Sequence, residues 1–433
     1  MKYSAANPSN TNFSPSQPSD SCDVAIIGAG VVGMVAAIAL AQRGYQVVVL
    51  DNKPVPMADD FAKRLAVRDV RVYALSCASI ALLETIDIWQ TIKRKVDYHR
   101  VKVWSCDDHG ELDFYDNCAG MPKLLGSMIE PSVLDEVLWR FAHDDLLSKN
   151  LRINYACRLV DSSMAIDTQS DGVIIRYEQD GKQQQIRAKL LLGADGRRSV
   201  VREVMGVGLD TLDYHQRAIC CTIRTDKPHQ NTARQIMRPT GTLALLPVAD
   251  MTAADNGCWQ SVVWTLPECL AADYLGDYQA DANTLIQRLN IASGYELGAV
   301  QAIESVASFP LSAQAAQSYV RGRLALIGDA AHGVHPLAGQ GLNLGLSDVA
   351  ALLGVVDHYH QKKAPLHPRL LKDYQRQVKS NNQMMMHSFS LINFAYASGI
   401  ADIQAVRYLR SELVNRIAKT PFVMQQLIER ANR

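Results

Sequence analysis

The stretch DVAIIGAGVVGMVAAIALAQRGYQVVVLD, residues 23–51, decides how the chain is read. Val24 to Ile27 is a short apolar run of strand length, suited to a buried parallel strand. Gly28, Gly30 and Gly33 follow in G-x-G-x-x-G spacing, and an Ala-rich segment then predicts a helix to about Arg43. Gly44 ends that helix, and Val47 to Leu50 predicts a second strand closing on Asp51. In this arrangement Gly28 permits a tight turn, Gly30 admits a pyrophosphate to the backbone, and Gly33 lets helix and strand pack closely. The helix N-terminus offers unpaired N–H groups and a positive dipole end to phosphates. Asp51 lies where a carboxylate can accept the hydroxyls of an adenosine ribose. Strand, turn, helix, strand and terminal acid agree on a dinucleotide site, which an ordinary βαβ turn would not explain.

Around this unit the composition is that of a globular protein large enough for two or three cores: 433 residues, 48% hydrophobic and 20% charged. Lys+Arg and Asp+Glu both number 44, which argues against a polyanion-binding surface and hence against nucleic acid. The nine cysteines are scattered without a C-x-x-C pair, as expected of reduced thiols in the cytoplasm. Cys220 and Cys221 are adjacent in an expected strand and should point to opposite faces. Residues 1–20, rich in Ser, Asn and Pro, read as a flexible tail, and no apolar run is long enough to span a membrane. His332 and His335, or His358, His360 and His367, lack the Cys or acidic partners of a metal site, so none is assigned.

Beyond Asp51, Lys53 to Val70 reads as turn-rich and wrapping the ribose end of the nucleotide. A helix is expected over Ser79–Trp89, then a hairpin of His99–Trp104 and Glu111–Tyr115 that leaves the nucleotide domain. Pro131–Leu147 is expected to be helical, with Val133, Val137, Leu138, Phe141 and Leu146 on its apolar side. Strands are expected at Leu151–Tyr155, Val173–Glu178 and Gln185–Ala188, and another from Lys189 into the turn at Asp195 and Gly196, before a helical start at Val200. Short β runs then dominate: Ala218–Arg224, Gln235–Arg238, Leu243–Pro247, Gln260–Thr265 and Ile303–Pro310, with helical pieces at Pro267–Leu275 and Ala282–Asn290. Leu324–Gly328 returns to a buried strand, Asp329–Gly341 is a glycine-punctuated loop, and Leu342 begins a long helix. From 369 onward the chain reads as helical, with an apolar stripe of Met385, Phe389, Ile392, Tyr396, Ile400, Ile403 and Val406.

The fingerprint alone does not separate NAD from FAD. Two later stretches do: LGADGR at 192–197 and LIGDAAHGVHPLAGQGLN at 326–343 resemble the second and third signatures of the FAD-carrying aromatic-ring hydroxylases. Within that group the chain resembles the ubiquinone-biosynthesis hydroxylases, over about residues 20–420. The supporting segments are RVYALS at 71–76, VKVW at 101–104, Ile129-Glu130, TARQIMRPTGTLALLP at 232–247 and FPL at 309–311.

The resemblance implies an α/β (α+β) fold: a Rossmann-like FAD-binding domain (21–96, 119–206, 318–368), an inserted antiparallel β-sheet substrate domain (97–118, 207–317), and a C-terminal helical region (369–433). It implies that FAD is held by Gly28, Gly30, Gly33, Asp51, Arg71, Asp195, Gly196, Asp329, Pro336, Gly339, Gly341 and Asn343. Asp329 would meet the ribityl hydroxyls, Arg71 would lie near the flavin, and Pro336–Gly341 would run beside the ring. Asp195 and Gly196 would support the pyrophosphate and the reducing nucleotide. NAD(P)H would be the reductant and O2 the co-substrate, with a flavin C4a-hydroperoxide hydroxylating a polyprenylated phenol. No acid–base side chain is required, and His335 is the one candidate worth testing. Two departures stand out: Asp51 is one methylene shorter than the family's usual Glu, and Pro131-Ser132 replaces the family's Asn-Arg after Glu130. A flavin-dependent reductase of an isoprenoid and a non-catalytic flavin scaffold share the same motifs. A prenylated substrate implies a cytoplasmic enzyme meeting a membrane surface, peripherally at the inner membrane, or other ubiquinone-biosynthesis proteins.

Overall fold

The structure is a computed structural model and describes residues 20–106, 110–115, 123–160, 166–168, 171–333 and 341–379. The expectations for residues 1–19, His335, Pro336, Gly339 and the stripe from Met385 to Val406 fall outside the described residues.

The opening unit is strand β1 (Ser21–Ile27), helix α1 (Val31–Gln42) and strand β2 (Val47–Leu50), with β1 and β2 parallel. Ten of the twelve residues of α1 are buried, so it carries no amphipathic stripe and lies inside the molecule. Next comes a helix that the turn-rich reading of 53–70 missed, α2 (Ala58–Leu65). Asp59 and Asp60 sit in its first turn and Lys63 and Arg64 in its last, complementing the helix dipole. Phe61 is its one buried residue, so no apolar period marked it in the sequence.

Strand β3 (Tyr73–Leu75) leads to α3 (Cys77–Thr85), which the Ser76 hydroxyl caps by accepting from the Ser79 N–H. This helix is shorter than the expected Ser79–Trp89, because Asp87 takes a left-handed φ of 59° and a 3-10 turn follows at Trp89–Thr91. Strands β4 (Val96–Tyr98), β5 (Arg100–Ser105), β6 (Glu111–Tyr115) and β7 (Gly126–Ile129) come next. Helix α4 (Pro131–Ala142) buries Val133, Val137 and Leu138 but stops before Leu146, which is exposed rather than on its apolar side.

The chain then adds β8 (Leu151–Asn154), β9 (Arg158–Leu159), β10 (Ile166–Thr168), β11 (Val173–Gln179) and β12 (Lys182–Gly193). The two strands expected at 185–188 and 189–193 are one strand with two neighbours on one edge. Its polar first half pairs antiparallel with β11, and its apolar second half pairs parallel with β19 (Leu324–Leu326). Along its other edge β12 pairs with β1, giving the order β10-β11-β12-β1-β2-β8. The change from polar to apolar residues within β12 matches its change from a hairpin arm to a parallel strand buried on both faces.

After the short helix α5 (Val200–Val204) the chain enters an eight-stranded sheet. Its later strands are β13 (Leu209–Thr225), β14 (Thr232–Arg238), β15 (Gly241–Pro247), β16 (Trp259–Pro267) and β17 (Val300–Ala316). Helices α6 (Glu268–Ala280) and α7 (Ala282–Ser293) connect β16 to β17. The sheet includes the β5–β6 hairpin and is antiparallel except where β5 runs parallel to β14. Both β13 and β17 are 17 residues long, well beyond the expected cores. A bulge with His215 at φ 51° and the polar run before it hid the first half of β13. Ile219, Cys221, Ile223 and Trp264 face α6 and α7, whereas Ala218 and Cys220 face Val70. Cys220 and Cys221 thus point to opposite faces, as expected, and both are buried. Burial pushes the Cys220 thiol up to about 11, so it stays protonated.

Short strands β18 (Val320–Arg321) and β20 (His332–Gly333) flank β19, and β20 pairs with β17. Helix α8 (Gly341–Gln361) then packs on α1.

Candidate cofactor site

The three fingerprint glycines are glycine for three different reasons. Gly28 has φ +108°, and a Cβ there would lie 2.4 Å from the Ala194 carbonyl oxygen. A Cβ on Gly33 would lie 2.1 Å from the Gly28 oxygen, so α1 could not pack against the turn. Gly30 is different. Its φ of −75° and ψ of 174° suit any residue, and a Cβ there would meet nothing within 4 Å. No atom of the described residues requires glycine at position 30. What lies there is open space at the N-terminus of α1, where the first-turn N–H groups have no partner in the helix. A pyrophosphate fits that cradle.

Asp51, 7% exposed, ends β2 as the sequence predicts. Its Oδ2 accepts from the Ala29 N–H at 2.5 Å and its Oδ1 from the Lys53 N–H at 2.7 Å. The carboxylate therefore ties the glycine turn to the end of β2, a role the sequence did not reveal. Each oxygen keeps a second lone pair for a ribose hydroxyl.

Asp195 and Gly196 lie at the end of β12, with Ala194 directly under the Gly28 turn. Oδ2 of Asp195 accepts from the N–H groups of Val200 and Val201, so this acid caps α5 together with Ser199. Burial raises the Asp195 pKa, and these hydrogen bonds partly offset that. Gly196 has open space where a Cβ would stand. The buried Arg202 donates to the carbonyls of Ala330 and Arg197, both at 2.8 Å, and so pins the second motif to the third.

Asp329 lies in a 3-10 turn at Gly328–Ala330, one residue past a buried strand end. Asp329 is exposed to solvent, yet enough protein surrounds its carboxyl to desolvate it. Desolvation there raises its pKa, while the charges of His332, Arg197 and Arg71 pull it partly back. The guanidinium of Arg71 stands 5.4 Å from the Phe309 ring and 5.9 Å from the Tyr73 ring, near enough to Asp329 for its charge to be felt there. An accessible carboxylate with cations nearby suits the hydroxyls of a ribityl chain.

The turn itself is held from α8. Oδ2 of Asp348 accepts the Gly328 N–H at 2.9 Å and meets His332 Nε2 at 2.6 Å, and both side chains are buried. Burial alone would lower the His332 pKa, but the Asp348 charge and hydrogen bond, with Asp329 behind, hold it above its ordinary value. A Cβ on Gly345 would fall 2.6 Å from Val32 Cγ2, so the first turns of α1 and α8 cross at close range. Gly341 opens α8 with free space at its Cα.

Asn343 is otherwise engaged. Its Oδ1 accepts from the Ser76 N–H and the Ser79 hydroxyl, and its Nδ2 donates to the Ala74 carbonyl. It clamps α8 to the β3–α3 junction. The described residues thus bring Asp51 and Asp195 against the fingerprint turn, set Asp329 beside the crossing of α1 and α8, and put Arg71 within electrostatic reach of Asp329. Arg202, Asp348 and Gly345 are the functional supports that sequence reasoning missed. Among the described residues no three His, Cys, Asp or Glu side chains group as metal ligands.

Residues 21–388 match the family described as FAD binding domain. The chain belongs to the ubiquinone-biosynthesis hydroxylases of the FAD-dependent aromatic monooxygenases. Ubiquinone hydroxylase UbiL of Rhodospirillum rubrum is 34% identical over 397 residues, 91% of this chain and 86% of the relative. The 3-demethoxyubiquinol 3-hydroxylase of Escherichia coli is 30% identical over 401 residues, 89% and 93% of the two chains. The fold is shared with p-nitrophenol 4-monooxygenase of Pseudomonas putida, at a TM-score of 0.73 and 18% identity over 95% of this chain and 99% of that one. FAD is the cofactor of this family, and the α1 N-terminus beside Gly30 leaves room for its pyrophosphate.

Proposed function

We propose that this protein is an FAD-dependent monooxygenase that hydroxylates the aromatic ring of a polyprenylated phenol in ubiquinone biosynthesis, using NAD(P)H and O2. The names and coverage of the two bacterial relatives support the pathway. The observation that carries the reading is Gly30, glycine where no atom of the described residues demands it. Bound FAD would supply the electron transfer and oxygen activation. The protein's own residues would hold and shield. Gly28, Gly30 and Gly33 with the α1 N-terminus would hold the pyrophosphate, Asp51 the ribose, and Asp329 the ribityl chain. Arg71 would stand beside the ring, with Gly341 at the mouth of α8 and Asp195 and Gly196 beneath the fingerprint. Pro336 and Gly339 keep the roles that the family resemblance gives them.

No helix among the described residues is long and apolar enough to cross a membrane. A prenyl tail prefers an apolar phase by about 0.8 kcal/mol per CH₂. The enzyme therefore meets its substrate peripherally at a membrane or through other proteins of the pathway. Sedimentation with lipid vesicles tests this: protein that stays wholly in the supernatant points to a carrier instead.

The decisive assay is NAD(P)H oxidation with and without a prenylated phenol under labelled oxygen. Substrate-stimulated oxidation with label in the ring supports the proposal. Turnover without oxygen marks a reductase, and flavin that never reduces marks a scaffold.

A further inference from the structure

Residues 66–72, between α2 and β3, belong to no helix or strand, yet Arg71 stands at a defined place by the Tyr73 and Phe309 rings, within electrostatic reach of Asp329. What fixes it is a set of polar contacts three residues upstream. The Arg68 side chain is 7% exposed although it is a cation. Its Nη2 pairs with Asp255 at 2.6 Å, its Nη1 lies 3.3 Å from both oxygens of Glu304, and its guanidinium stacks 3.9 Å from the Trp259 ring. Asp255 in turn accepts from the N–H groups of Met251 and Thr252 and from Trp259 Nε1. Asp69 holds the segment on both sides: its carbonyl accepts from Thr222 of β13, and its carboxylate accepts from the Ser132 N–H of α4. Its own N–H donates to the buried Glu130. Val70 and Val72 then pack into two different apolar clusters.

We propose that Arg68 is a positioning residue for Arg71: by locking the segment to the eight-stranded sheet, it sets where the Arg71 guanidinium stands relative to the flavin. This rests on the reading of Arg71 as a neighbour of the flavin. A planar fork that pairs with two carboxylates and stacks on an indole fixes orientation as well as distance. Among the described residues Arg71 forms no ion pair, and its guanidinium stands only near the Tyr73 and Phe309 rings. The anchor is buried and Arg71 is exposed, which suits a contact made with a group that comes from outside the chain.

A double-mutant cycle on Arg68→Met and Arg71→Ala tests this, read as the FAD dissociation constant of the apoprotein and the visible spectrum of the bound flavin. Arg71→Ala should weaken FAD on the order of tenfold and shift the flavin bands. Arg68→Met should do most of the same, and the double variant should be no worse than Arg71→Ala alone. A role confined to stability would lower the melting temperature without touching the spectrum. Additive effects, or an unchanged flavin in Arg68→Met, would overturn the proposal. A silent Arg71→Ala would overturn it together with the flavin-side reading of Arg71, whereas FAD retention in Gly30→Val bears on the cofactor assignment alone. Asp255 keeps three N–H donors without Arg68, so the variant should fold. If it does not, the same cycle is read on Asp255→Asn, with the same outcomes required.

Discussion

The fingerprint turn follows β1 and the Asp329 turn follows β19, two strands on opposite sides of β12. The first is built almost entirely from its own neighbourhood: glycines that permit a turn and a close helix, and one acid 18 residues on. The second is held by side chains brought from elsewhere. Asp348 comes from α8, Arg202 from α5 and Gln314 from β17, the last donating to the Asp329 carbonyl at 3.1 Å. A locally encoded site tolerates changes in its surroundings, and a remotely held one depends on a few polar bonds in a dry interior.

The largest expected effect falls on the remotely held turn. Asp348→Ala leaves the buried His332 ring without the carboxylate it pairs with and the Gly328 N–H without its acceptor. Removing one partner of such a pair costs about 3–5 kcal/mol. Denaturant titration should show this loss, and a cost below about 1 kcal/mol would mean that the turn is held by its own backbone.

Next comes a contrast within the fingerprint. Gly33→Val drives a side chain into the Gly28 carbonyl and should cost about 3 kcal/mol of stability. Gly30→Val enters open space and should cost the apoprotein at most about 1 kcal/mol, from a poorer helix cap. FAD content should nevertheless vanish in Gly30→Val. Yellow protein from that variant would break the pyrophosphate assignment.

Asp329→Ala sharpens the comparison from the other turn. With its carboxylate open to solvent and the turn held by Asp348, the apoprotein should be nearly unaffected. FAD affinity should fall by about 1.5–3 kcal/mol, the worth of a charged hydrogen bond. Unchanged affinity in a titration of apoprotein would leave Asp329 as part of the turn only.

The same contrast explains what was legible in the sequence. Gly28, Gly30, Gly33 and Asp51 were readable because spacing along the chain is spacing in the site. Asp195 and Asp329 could be placed by resemblance, but Arg202 and Asp348 could not, since a lone arginine and a lone acid on helices carry no periodic signal. Asn343 was placed in the right motif, yet its amide serves the β3–α3 junction. In the fold, β12 was split because its pattern changes with its partner, and α2 was missed because one buried residue makes no period. The first half of β13 was hidden because it is polar and largely exposed, and it pairs with a small-residue end of β17, Leu311–Ala316, that carries no alternating pattern.

The smallest effect is a pH dependence, and its sign follows from His332. Its folded-state pKa is raised above the ordinary value near 6.5, so the folded state holds the proton more tightly than the unfolded chain. The stabilisation is complete below about pH 6.5 and is lost as pH rises through the raised folded value. Wild-type stability should therefore decline over that alkaline side, by the share of this one group. Asp348→Asn keeps an acceptor for the Gly328 N–H but removes the charge that holds the proton, so its curve should flatten there. Urea midpoints for both proteins across that range, at fixed ionic strength, give the comparison directly. If the two curves run parallel, His332 is neutral in the folded state, and the turn under Asp329 is held by an uncharged hydrogen bond instead of an ion pair.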